Sequence, residues 1–64
     1  MRTYVVDYQY LYDGDKNAYD GTQIFLADGL LDLYEQWQLF SEAISREIPD
    51  MHIAWYEIVE DIEL

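Results

Sequence analysis

The chain contains no cysteine, one proline and three scattered glycines. Without cysteine it can form neither a disulfide nor a thiolate metal site, and scattered glycines exclude a glycine-rich loop that cradles phosphate. No uncharged stretch approaches the length that a bilayer-spanning helix needs, and the start of the chain lacks the apolar run of a signal peptide. We therefore expect a soluble, intracellular protein without a cofactor.

Basic residues are scarce as well. Three Lys and Arg stand against 14 Asp and Glu, which gives a formal net charge of −11. Proteins that bind nucleic acid neutralise phosphates with basic side chains, so this balance excludes direct nucleic-acid binding. A typical domain surface mixes both signs. Because this surface carries almost only negative charge, we favour binding to a positively charged partner over the alternative that the acids are ordinary solvated residues.

The chain is nevertheless rich in residues that build a core. Hydrophobic residues make up 52% of it and aromatic residues 17%, well above the content of a disordered acidic tail. Sixty-four residues form one domain, residues 1–64, without room for a second core. The aromatic content indicates that the chain folds, and the charge indicates that it folds against mutual repulsion.

The hydrophobic pattern predicts the order strand, strand, helix, strand. Residues 3–12 alternate with period two and are rich in β-branched and aromatic side chains, which is typical of a strand. Residues 13–21 are dense in turn formers, and residues 22–26 form a second, short strand. A helix follows over residues 29–47, and residues 51–62 form the last strand.

The predicted helix has clear limits. Asp28 is its expected N-cap, and Pro49 ends it because the residue before a proline is pushed away from helical angles. Its apolar residues recur at three- and four-residue intervals and form one stripe. The stripe consists of Leu30, Leu33, Tyr34, Trp37, Phe40 and Ile44.

These elements predict an α+β fold in which one amphipathic helix packs on one face of a three-stranded β-β-α-β sheet. The preferred strand order is 2-1-3, with the last strand antiparallel to the first. The last strand is ambiguous, because both of its faces mix apolar and polar residues. We expect its even-numbered residues to face the helix, which would leave Ile53 and Trp55 on the open face beside Asp7 and Glu57.

No catalytic or metal-binding residue is predicted. The loop at residues 13–17 resembles the start of a calcium-binding EF-hand, but Ala18 and Ile24 occupy the positions of its essential glycine and glutamate. His52 is the only histidine. With 14 acids on so small a surface, close carboxylate pairs are inevitable and do not indicate a catalytic pair. A general acid and base also need a concave site that positions a substrate.

The acidic residues are the predicted partner-binding residues. Carboxylates two apart on a strand, or three to four apart on a helix, stand about 5–7 Å from one another, comparable to successive phosphates along a DNA strand. The loop contributes Asp13, Asp15 and Asp20, the helix region contributes Asp28, Asp32, Glu35 and Glu42, and the last strand contributes Glu57, Glu60, Asp61 and Glu63.

In size, charge and lack of cysteine the whole chain resembles a class of small phage-encoded inhibitors: anti-CRISPR proteins, anti-restriction DNA mimics and uracil-DNA glycosylase inhibitors. Many of these occupy the site where an enzyme would hold DNA. The resemblance includes no shared motif, so it assigns no residue. It implies a non-catalytic inhibitor in the cytoplasm of a bacterial host cell, with a basic DNA-binding protein as its partner. An anti-CRISPR that blocks a CRISPR effector subunit is the favoured member.

Two other interpretations remain open. The chain could be a protein–protein interaction module, such as an antitoxin or an adaptor, that uses an exposed aromatic patch around Trp55. It could also be an acidic domain without a dedicated basic partner. Association driven by charge weakens as ionic strength rises, and apolar association does not. Salt dependence of binding therefore separates the DNA-mimicking inhibitor from the interaction module.

Overall fold

A computed structural model describes the backbone of residues 1–63 and the side chains of residues 1–59. Its elements are β1 (Arg2–Tyr12), β2 (Ala18–Ala27), α1 (Leu30–Glu47) and β3 (Met51–Glu63). The predicted α+β fold and the β-β-α-β order are confirmed. The sheet has the order β2-β1-β3, with both outer strands antiparallel to β1, as predicted.

The hairpin between β1 and β2 is longer than its sequence indicates. β2 starts at Ala18, so the part of the predicted loop from there to residue 21 is strand instead. Tyr19 lies opposite Tyr10 in the register, and the two rings stack with their centroids 5.6 Å apart. Tyr12 adds an edge contact to Tyr19 at 5.7 Å. These aromatic cross-strand contacts extend the pairing into residues that are typical of turns.

β3 changes face at a bulge. Gln9 of β1 lies opposite Trp55, whereas the next residue, Tyr10, lies opposite Ile53. Ala54 is therefore the extra residue on β3, and the inward positions of the strand switch from odd-numbered before it to even-numbered after it. A second register shift follows between Tyr4 and Val5 of β1.

The bulge overturns part of the predicted face of β3. Tyr56 and Ile58 lie on the face that α1 covers, as expected, but Ile53 also packs against the core and Met51 is buried. The expectation that Ile53 lies on the open face is therefore wrong. Trp55 does lie on the open face, as predicted.

Trp37 is the centre of the core between α1 and the sheet. Its side chain is only 7% exposed, which confirms the predicted helix register, and the neighbouring Leu33 is fully buried. Aromatic rings surround it at centroid distances of 4.9–6.1 Å. These rings belong to Tyr8, Phe25, Phe40 and Tyr56.

Two members of the predicted apolar stripe lie outside this core. Leu30 is 51% exposed, so the prediction that it packs on the sheet is wrong, and Tyr34 of the same stripe is 45% exposed. Leu30 is the first residue of α1. The buried residues of α1 are Leu33 and Trp37, both in the first half of the helix.

The start of α1 is held by Asp32 and not by Asp28. Gly29 is the N-cap residue, in extended backbone and without a side-chain bond. Asp32 Oδ2 instead accepts the backbone N–H of Asp28 at 3.0 Å, and its charge in the first turn complements the helix dipole. Gln36 Nε2 donates to the carbonyl of Leu26 at 2.8 Å and ties the helix to β2. The predicted N-cap at Asp28 is wrong.

Gly21 provides the room that Tyr8 occupies, which leads to a first prediction. A Cβ at this position would lie 2.7 Å from the Tyr8 hydroxyl oxygen and within the space of its ring. Tyr8 is held by Trp37 and Phe40, so the ring cannot move freely. We expect Gly21→Ala to lower the free energy of unfolding by about 1–3 kcal/mol, as overpacked sites do. Urea denaturation measures this, and an unchanged midpoint would contradict the contact.

Gly29→Ala is the matched control for that substitution. A Cβ there meets no atom within 4 Å. Its backbone φ of 179° is accessible to any residue. We expect the control to change stability by less than about 1 kcal/mol.

Candidate interaction surface

One face of the sheet is left uncovered by the described chain, because α1 packs on the other face. We call this uncovered face the open sheet face. It is formed by odd-numbered residues of β1 and by the residues of β2 and β3 that lie opposite them. Its described members are Thr3, Val5, Asp7, Gln9, Leu11, Ala18, Asp20, Thr22, Ile24, Leu26, His52, Trp55, Glu57 and Val59.

One end of the open sheet face is apolar. Val5 lies opposite Ile24 on β2 and opposite Val59 on β3, so the three side chains form one row across the strands. Leu26 stands beside this row on β2. Ile24 is 61% exposed and Leu26 is 49% exposed. We call Val5, Ile24, Leu26 and Val59 the apolar strip.

The next row of the open sheet face is acidic. Asp7 lies opposite Thr22 on β2 and directly opposite Glu57 on β3. The Thr22 hydroxyl donates to Asp7 Oδ1 at 3.0 Å and orients that carboxylate. Asp20 stands one row further along β2. Like charges directly opposite one another destabilise a sheet, so Asp7 and Glu57 are held together against their repulsion.

That repulsion gives a second prediction. Glu57→Gln keeps the shape of the side chain and removes the charge that faces Asp7. We expect it to raise the free energy of unfolding by about 0.2–1 kcal/mol at low salt, with a smaller gain at high salt. Glu35→Gln on the exposed side of α1 is the matched control and should gain less. Thermal melts at two salt concentrations measure both, and a lower melting temperature for Glu57→Gln would contradict the cross-strand repulsion.

Trp55 occupies the row beyond the acidic one. Its indole N–H donates to Gln9 Oε1 at 2.8 Å, which aims the ring across the sheet toward β1. The residue is 47% exposed and shares its strand face with Glu57. A half-exposed aromatic ring therefore stands beside two carboxylates, as the sequence predicts for this face.

Asp15 organises the hairpin loop. A turn closes with the Asp15 N–H donating to the Tyr12 carbonyl at 3.1 Å, and Gly14 adopts the positive φ of 79° that such a turn needs. The Asp15 carboxylate accepts the Asn17 backbone N–H at 2.9 Å and the Tyr19 hydroxyl at 2.7 Å. Its role is local structure.

These bonds shift two pKa values in opposite directions. The hydrogen bonds from Asn17 and Tyr19 lower the pKa of Asp15, and the bond to Asp15 raises the pKa of Tyr19. The carboxylate therefore stabilises the loop above the ordinary pKa of an aspartate, and that stability is lost as pH falls through the lowered value. The phenol stabilises it below the ordinary pKa of a tyrosine, and that stability is lost as pH rises through the raised value.

A third prediction follows. Asp15→Asn removes the ionised acceptor, so the pKa of Tyr19 should fall toward the ordinary value of a tyrosine. An NMR titration of ring-labelled tyrosine measures it. Asp20→Asn removes the same charge one residue beyond Tyr19 and serves as the control. An equal fall in both variants would indicate a general charge effect instead of the hydrogen bond.

Asp13 lies at the junction of the loop with β3. Its Oδ1 is 2.8 Å from His52 Nε2, and both side chains are largely exposed. Its backbone N–H donates to the carbonyl of Asp50 at 2.8 Å. Asp13 therefore belongs to the contact that joins the end of β1 to the start of β3.

The structure distributes the predicted partner-binding residues over several surfaces. Asp20 and Glu57 lie together on the open sheet face, while Glu35 and Glu42 lie on the outer side of α1. Asp13, Asp15 and Asp32 make bonds within the chain, and Asp28 is an exposed residue before α1. The side chains of Glu60, Asp61 and Glu63 lie outside the described part of the chain.

Asp7 is the residue that the predicted set lacks. Its odd-numbered position on β1 already places it on the face opposite the tyrosines, and a signal was therefore present in the sequence. Its importance depends on the registers with β2 and β3, which bring Thr22 and Glu57 to its two sides. Strand order and register are properties of the folded sheet.

A groove of about 590 Å³ lies between α1 and β3. It is lined by Trp37, Ser41, Ile44, Ser45 and residues 51–56. The Ser41 hydroxyl donates to the Trp37 carbonyl at 2.9 Å, and His52 Nε2 contacts Asp13. Among the side chains of residues 1–59, no group of three or more His, Cys, Asp or Glu could hold a metal ion.

Comparison of the chain with known proteins finds no matching family model, no similar curated protein and no similar solved structure. Within the described residues, no helix combines the length and apolar character needed to cross a membrane.

Proposed function

We propose that the protein is a non-catalytic inhibitor that presents an acidic, DNA-mimicking surface to the basic DNA-binding groove of a bacterial defence or nucleic-acid enzyme. An anti-CRISPR protein is the favoured form of this function. The observation that carries the proposal is the density of uncompensated negative charge. The chain has 14 Asp and Glu but only three Lys and Arg, so most carboxylates have no basic side chain to neutralise them.

The dimensions of the molecule support this function. Its principal extents are 40 × 20 × 13 Å. One strand of B-DNA carries one charge per about 3.4 Å, which amounts to about twelve charges over a comparable length. The net charge of −11 is close to that number. The long axis also compares with one turn of B-DNA, about 34–36 Å. A groove that contacts one strand along a turn of duplex could therefore hold this molecule with a similar charge opposite it.

A competition assay tests the proposal. A labelled duplex is bound to the candidate DNA-binding enzyme, and the protein is added at increasing concentration. We expect the protein to displace the duplex and to associate quickly at low salt, because opposite fields raise encounter rates. Its affinity should fall as salt screens the exposed charges. Binding to the enzyme without displacement of the duplex would contradict mimicry.

The exposure of Trp55 favours a second candidate function, that of a protein–protein interaction module such as an antitoxin or an adaptor. The residue is 47% exposed on the open sheet face. The aromatic patch of that module does not include Ile53, which packs against the core, and it borders the acidic row instead. Binding of equal strength at low and high salt, without competition with DNA, would favour this function.

A further inference from the structure

The open sheet face exposes large apolar side chains. Ile24, Leu26 and Trp55 are each about half exposed or more, at 61%, 49% and 47%. They belong to a face on which side chains of all three strands stand in register. Extended exposed apolar patches on soluble proteins mark binding surfaces. The described chain has no element on this side of the sheet.

A second copy of the chain does not fit this face. Stacking two copies would bring the carboxylates of Asp7, Asp20 and Glu57 toward those of the other copy. None of the described residues on the open sheet face is Lys or Arg, so neither copy could supply a compensating cation. Each copy also carries a net charge of −11. The charge on the face therefore calls for a basic occupant.

The acidic row has the spacing for a single guanidinium group. Asp7 and Glu57 are directly opposite across β1 and β3, and such cross-strand pairs have Cβ atoms about 4.5–5.5 Å apart. The planar fork of an arginine can donate to two carboxylates at once and would relieve their repulsion. Trp55 stands on the same strand face as Glu57, where an aromatic ring can stack on the same cation.

From these observations we infer that the open sheet face is the docking surface and that its occupant is a protein surface carrying an arginine between apolar side chains. The arginine binds between Asp7 and Glu57 beside Trp55, and the flanking apolar side chains cover the apolar strip. This inference rests on the proposed function only in requiring a basic partner. It adds which acidic surface docks and which side chain that surface recognises.

The test uses a short synthetic peptide in which arginine and leucine alternate, titrated into the full ¹⁵N-labelled chain and followed by NMR. We expect the largest shifts at the amides of Asp7, Gln9 and Glu57 and at the indole N–H of Trp55. The indole of Trp37, buried in the core, should shift little and provides an internal reference. Two further peptides replace arginine by lysine or leucine by serine, and both should bind more weakly.

Matched variants locate the site. Glu57→Gln should weaken binding of the arginine–leucine peptide about tenfold, as loss of a charged hydrogen-bond partner does. Glu42→Gln removes the same charge from the exposed side of α1 and should change affinity less than about twofold. Leu26→Thr, on the apolar strip, should weaken binding of the arginine–leucine peptide more than binding of the arginine–serine peptide.

Three results would overturn the inference. The first is equal loss of affinity in Glu57→Gln and Glu42→Gln, which would indicate attraction to net charge alone. The second is a set of shifts centred on the hairpin loop or on the outer side of α1. The third is a set of shifts confined to the groove between α1 and β3, which would place the peptide at the free edge of β3.

The tests of the docking surface and of the proposed inhibition can fail independently of each other. If the peptide maps to the open sheet face but the protein does not displace duplex from the enzyme, the docking surface stands and DNA mimicry is wrong. If duplex is displaced while Glu57→Gln and Glu42→Gln inhibit equally, the inhibition stands and the docking surface is wrong.

Discussion

Trp37→Ala is expected to lower the free energy of unfolding by about 3–5 kcal/mol, as truncation of large buried aromatic side chains does. Trp37 is 7% exposed, and its ring contacts those of Tyr56 and Phe40 at centroid distances of 4.9 and 5.4 Å. Removing this ring leaves a cavity between α1 and the sheet, where the two layers pack together. Small domains have only about 5–15 kcal/mol of stability, and this one also carries the self-repulsion of its net charge.

Thermal melts followed by circular dichroism measure this loss. Leu31→Ala is the control on the same helix, because Leu31 is 82% exposed and should cost less than about 1 kcal/mol. Trp37→Phe keeps an aromatic ring in the core, so its loss of stability should lie between those of Trp37→Ala and Leu31→Ala. Equal melting temperatures for the Trp37→Ala and Leu31→Ala variants would show that the core is centred elsewhere.

The second large effect concerns inhibition. The double substitution Asp20→Lys with Glu57→Lys reverses two exposed charges on the open sheet face. If this face docks on a basic groove, the four-unit change in net charge places cations against cations, and inhibition should be lost. The fold should survive, because a lysine at position 57 would face Asp7 and replace repulsion by attraction.

The matched control reverses Glu35 and Glu42 to lysine on the outer side of α1. Both residues are exposed, so the control has the same change in net charge on another surface. It should retain most of the inhibition, measured in the duplex competition assay, apart from a slower association at low salt. Equal loss in both double variants would mean that net charge, and not the open sheet face, determines binding.

Much of the fold was predictable because it depends on local patterns. The alternation in β1 separates the face with Tyr4 and Val6 from the face with Asp7, and the structure keeps that division. The three- and four-residue intervals identified α1 and its buried Trp37. The strand order followed from helix reversal and the preference for antiparallel neighbours. Each of these signals is contained in a few neighbouring residues or in the order of the elements.

The errors have a common physical origin in contacts between distant residues. The predicted face of β3 failed only before Ala54, because the bulge at that residue exists only in the pairing with β1. β2 was predicted too short because its extension depends on the stacking of Tyr19 on Tyr10. Leu30 has the correct interval for the stripe but is half exposed. Local periodicity does not report which positions of a stripe the partner element covers.

The candidate surface divides in the same way. The excess of acids, the expectation that the chain does not bind nucleic acid directly and the absence of cysteine chemistry follow from composition alone, because net charge and residue types do not depend on the fold. Only the tertiary structure decided which acids share a surface. It assigned Asp15 and Asp32 to local bonds, and it brought Asp7 and Glu57 side by side although they lie near opposite ends of the chain. Cross-strand register makes that contact, because it joins segments whose own sequences carry no information about each other's alignment.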